Sequence, residues 1–126
     1  MYSEHCEGCP LKGKAEVNTG KGAANARFLV VVDSPSAKPE TYNRLVPQSS
    51  MKLFSKSAMA EQFVPDDFFF YPQVRCPYDP DHYTTKEKTL IQKSCRPHFV
   101  EQVFRQKPDV IIPLGNEAAK QVEGRA

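Results

Sequence analysis

The sequence predicts an α/β domain of three layers, with a central, mostly parallel sheet between helices. Three observations carry this reading. Phe28-Leu29-Val30-Val31-Val32 and Val110-Ile111-Ile112-Pro113-Leu114 are short apolar runs without polar alternation, the pattern of strands buried on both faces. Phe68-Phe69-Phe70-Tyr71 reads as a further strand. Stretches of helical period lie between and after these runs, so strand and helix alternate as parallel crossovers require.

The elements follow in chain order. Residues 1–26 are polar and rich in glycine, and read as loop or a short turn of helix. The first strand stops at Asp33-Ser34-Pro35, and residues 34–49, with Pro35, Pro39 and Pro47, form a long loop. From about Ser50 a helix is predicted, with Ser49 or Ser50 as its cap and Met51, Phe54, Ala58 and Gln62 on one face. Val64-Pro65-Asp66-Asp67 ends it, and the second strand runs towards Cys76. Thr84 and Glu87 form a capping box opening a helix whose face carries Leu90, Ile91, Cys95, Phe99, Val103 and Phe104. Pro97 is expected to kink that helix or to start a second one. Lys107-Pro108-Asp109 ends it, and after the third strand Gly115 turns into a helix over about 116–122. No strand follows, so the fold reads as lacking the C-terminal part of a doubly wound domain.

At 126 residues, 40% of them apolar and 25% charged, the chain suits a single domain, 1–126. A net charge of +2 gives no bulk argument for nucleic acid. Met1–Pro10 lacks the basic start and apolar core of a secretion signal, and no stretch approaches the ~18 apolar residues of a membrane span. The expected setting is the cytoplasm, where thiols stay reduced and four cysteines point to metal or redox chemistry before disulfides.

Those cysteines are a C-x-x-C pair, Cys6 and Cys9, with Cys76 and Cys95 separated by 18 residues. Thiolates suit zinc or an iron–sulfur cluster. Zinc ribbons present two close pairs, whereas here the second pair is spread over a turn and a helix. That spread favours a cluster, whose volume accepts ligands from distant elements.

At this point the sequence resembles the iron–sulfur uracil-DNA glycosylases of families 4 and 5. The resemblance lies in the early Cys-x-x-Cys, the Pro-containing loop after a strand, Val74-Arg75-Cys76-Pro77, Cys95-Arg96-Pro97-His98-Phe99, and the run from Lys107 to Ala118 with its Leu-Gly-x-x-Ala turn. It implies a glycosylase-like fold and a 4Fe–4S cluster on Cys6, Cys9, Cys76 and Cys95. It also implies binding of DNA, with replication or repair proteins as further partners.

The motifs expected to hold uracil depart from the family's pattern. Where the family resembles G-E-A-P-G, this chain has Val32-Asp33-Ser34-Pro35-Ser36, so Asp33 takes the acid's place and is the candidate catalytic residue. Val46 stands where a Phe stacks on uracil, and a Val has no π face. Pro72 stands where an Asn reads the base edge, and neighbouring Gln73 is expected on the other strand face. No His-Pro-Ser or His-Pro-Thr occurs. The reading favoured by these substitutions is a catalytically degenerate glycosylase-like domain that binds DNA or protein. The alternatives are an active glycosylase and a zinc-bound structural module. Ser34, Pro35, Val46 and Gly115, at the expected carboxyl ends of strands, together with Lys52 and Lys56, are the candidate substrate- and DNA-binding residues.

Overall fold

The computed structural model describes residues 6–13, 17–35, 45 and 56–124. Their architecture is α/β, built on a four-stranded mixed sheet in the order β1-β3-β2-β4. The strands are β1 (Lys21–Gly22), β2 (Phe28–Val32), β3 (Phe68–Pro72) and β4 (Val110–Leu114). The helices are α1, described over 56–60, α2 (Thr85–Gln106) and α3 (Asn116–Glu123). Met51, Phe54, Ser49 and Ser50, named above for the first helix, lie outside the described residues.

β2 runs parallel to β3 on one side and to β4 on the other, pairing Phe28 with Phe68 and Val110, and Val32 with Pro72 and Leu114. Every residue of β2 is buried, as its unbroken apolar run requires. Its side chains alternate between two cores. Leu29 and Val31 pack with Tyr71, Phe99 and Ala118 on the face covered by α2 and α3. Phe28 and Val30 pack with Phe68, Phe63 and Ala58 on the other face. Full burial of each such Leu or Val stabilises the fold by roughly 1.5–3 kcal/mol.

β1 is the element that the sequence reading missed. It is two residues long, antiparallel to β3, and pairs Lys21 with Phe70 and Gly22 with Phe69. Two exposed residues carry no periodicity, so nothing local marks them as a strand.

The Thr84–Glu87 capping box is formed, each side chain meeting the other residue's backbone N–H, at 3.1 and 2.9 Å. The helix behind it is continuous through Pro97, so no second helix starts there, and Pro97 sits on the exposed side, where the carbonyl of Lys93 that loses its partner can be hydrated. Its buried face is Ile91, Gln92, Cys95, Phe99, Gln102 and Gln106, while Leu90 and Phe104 face solvent. The three glutamines displace the larger apolar residues because each has a fixed polar partner inside. Gln106, for example, donates to the carbonyls of Ala26 and Phe28. Lys107 ends the helix in the left-handed conformation.

Among the described residues, no helix is long and apolar enough to cross a membrane.

Candidate metal centre

A third core lies beyond the carboxyl end of β3. Leu11, Val74, Cys76, Tyr78, Ile91 and Cys95 are buried together, with Cys9, Val17 and Tyr83 packed against them. Three separate segments meet here. Residues 6–13 wind through two turns, in which the Cys9 N–H donates to the Cys6 carbonyl and the Lys12 N–H to that of Cys9. Exposed Lys12 and Glu7 form an ion pair across the turns. The segment after β3 is drawn in by the Val74 N–H, which donates to the Asp33 carbonyl at 3.2 Å. The Asn18 N–H donates to the Arg75 carbonyl at 2.7 Å, which fastens the N-terminal segment beside Cys76. Cys95 comes from the buried face of α2.

All four cysteines line one recess, together with Leu11, Lys12, Val17, Arg75, Ser94 and His98. Cys76 and Cys95 are buried, while Cys6 and Cys9 are partly exposed. Burial first, and then the nearby thiols of Cys76 and Cys9, against a hydrogen bond from the Arg75 backbone and the Arg75 charge, leave the Cys95 thiol pushed up to about 11. The recess is closed down to about 10 Å³, space for roughly one water-sized sphere. Among the described residues, no three Cys, His, Asp or Glu side chains converge as ligands of a single metal ion.

The other candidates are placed as follows. Asp33 follows β2, and its Oδ1 accepts from the Ala118 N–H at 2.8 Å, in the first turn of α3. That helix has no side-chain cap from its own N-cap residue, Gly115, so Asp33 fills the role from another element. Partial desolvation raises the Asp33 pKa, the Ala118 hydrogen bond lowers it, and Glu117 raises it. Gly115 has φ +115°, and a Cβ there would lie 2.5 Å from Asp33 Oδ1. Asp33 and Gly115 are thus in contact, Pro35 is fully buried and Ser34 half-buried. Lys56 is exposed on α1 and lines neither this recess nor the groove described below. Val46 and Lys52 lie outside the described residues.

Pro72 is fully buried. Gln73 is 1% exposed, and its amide is engaged inside the protein. It donates to the Asp33 carbonyl at 3.0 Å and accepts from Gln121 at 3.2 Å. His82 is exposed, 3.7 Å from Asp79. Arg75 and His98 belong to the recess. Both stand in the cysteine-flanking motifs that carry the resemblance, and the sequence reads His98 as a helix-face residue near the cluster, though neither is counted there as a site residue. No family model matches this chain, and no curated protein matches it.

Proposed function

We propose that this chain is a uracil-DNA glycosylase-like 4Fe–4S domain that acts inside the cell, binding DNA in replication or repair, alone or with other proteins of those processes, without excising uracil. The observation that carries this reading is the meeting of four cysteines, from three distant segments, at one recess. Four thiols are the donor set of a cubane cluster, and here all four line one recess. Cys6, Cys9, Cys76 and Cys95 would hold the cluster, and its ligation would supply folding free energy to the N-terminal segment. Arg75, Lys12 and His98 would surround it.

Loss of uracil excision is supported at three positions. Pro72 offers no side-chain donor, Gln73 spends its amide on Asp33 and Gln121, and Asp33 is occupied as the cap of α3. The test is a strand-cleavage assay on uracil-containing single- and double-stranded DNA beside a mobility shift across salt. No uracil release, with binding that weakens steeply as salt rises, is expected. Uracil release abolished by Asp33→Ala would establish an active enzyme instead.

A further inference from the structure

A larger groove opens beside the cysteine recess, between the β1–β3 edge of the sheet and α2, with a volume of about 950 Å³. Phe69, Tyr71, Arg75, His98, Glu101 and Arg105 are among its lining residues. Arg75 and His98 line the recess as well, so the two sites share a wall. Tyr71 is 3% exposed, and among the described residues its buried hydroxyl has no hydrogen-bond partner. A buried O–H without a partner costs free energy unless a ligand or water meets it, so this one points to an acceptor that enters from the groove. Arg105 stands 3.9 Å from Glu101, an exposed and loose pairing.

We propose that this groove holds a nucleotide, with its phosphate at Arg105, the Tyr71 hydroxyl donating to it, and its base along the ring of Phe69. In naming where a nucleotide sits, this rests on the DNA-binding reading above. The volume suits a base, sugar and phosphate together and far exceeds what a bare phosphate fills. Guanidinium groups match phosphate oxygens in a planar, two-point fashion, and aromatic side chains accept any base without a sequence code. The same chemistry is presented by a free mononucleotide and by a nucleotide within single-stranded DNA.

The test is equilibrium binding of the full chain to a fluorescein-labelled oligothymidylate, with competition by thymidine 5′-monophosphate and by inorganic phosphate. Arg105→Glu is expected to weaken binding by about tenfold or more. Tyr71→Phe, which keeps the ring and removes only the hydroxyl, is expected to weaken it about fivefold. Competition by the monophosphate at concentrations where phosphate has no effect supports the groove and identifies a free nucleotide as sufficient. Oligonucleotide binding that both substitutions weaken, without that competition, supports it with the polymer as its source. Oligonucleotide binding that neither folded variant changes, but that Lys56→Glu weakens, overturns the groove and leaves the DNA-binding reading standing. Monophosphate binding that depends on Tyr71, without oligonucleotide binding, keeps the groove and removes that reading. No binding of either probe overturns both.

Discussion

The Asp33 carboxylate caps a helix 85 residues further along the chain, accepting from the Ala118 N–H at 2.8 Å. This bond ties the end of β2 to the start of α3.

Asp33→Ala is expected to lower stability by about 1 kcal/mol, as loss of an N-cap does, whereas Asp33→Asn keeps the acceptor and should cost less. The pH dependence follows from the sign of the shift. Asp33 is raised in the folded state, so folding favours its protonated form. Its contribution is therefore fully present below the ordinary carboxyl value and is lost as pH rises through the raised one. Urea unfolding of both variants and the parent across acidic pH measures this, and the Asp33 component should vanish in Asp33→Asn.

Gly115→Ala should be costlier than Gly13→Ala. Both glycines have positive φ, +115° and +81°, but a Cβ at Gly13 meets nothing within 4 Å, while at Gly115 it meets the Asp33 carboxylate at 2.5 Å. Backbone strain alone predicts about 1 kcal/mol for Gly13→Ala, and strain with the clash about 2–3 kcal/mol or more for Gly115→Ala. Equal midpoints in chemical denaturation would contradict the contact.

Gln121 is fully buried and gathers the interior polar groups. Its amide donates to Gln73 Oε1 and to the Gln92 carbonyl, and it accepts from Arg96 at 2.9 Å. Gln121→Leu keeps the volume and strands those partners, so it should cost about 2–4 kcal/mol in unfolding free energy. A near-neutral result would mean that water satisfies them.

Much of this frame was legible in the sequence, because local chemistry decides it. The unbroken run of β2, the Thr84–Glu87 box and the Leu114-Gly115 turn each carry their own signal. What stayed hidden depends on partners distant in sequence. β1 exists only because β3 lies beside it, and Gln92 and Gln106 are buried because a side chain and a carbonyl elsewhere receive their amides. Leu90 and Phe104 fit the helical period equally well, yet both are exposed. The four cysteines could be grouped by residue type alone. Tyr71 read as one more strand residue until its hydroxyl proved to be buried beside a groove.

The central claim is that Cys6, Cys9, Cys76 and Cys95 hold one iron–sulfur cluster. The most direct measurement is the absorption spectrum and metal content of chain purified without oxygen. The account predicts a broad band at the blue–violet end with about four irons per chain, lost in Cys95→Ser. Stoichiometric zinc with no such band would contradict it.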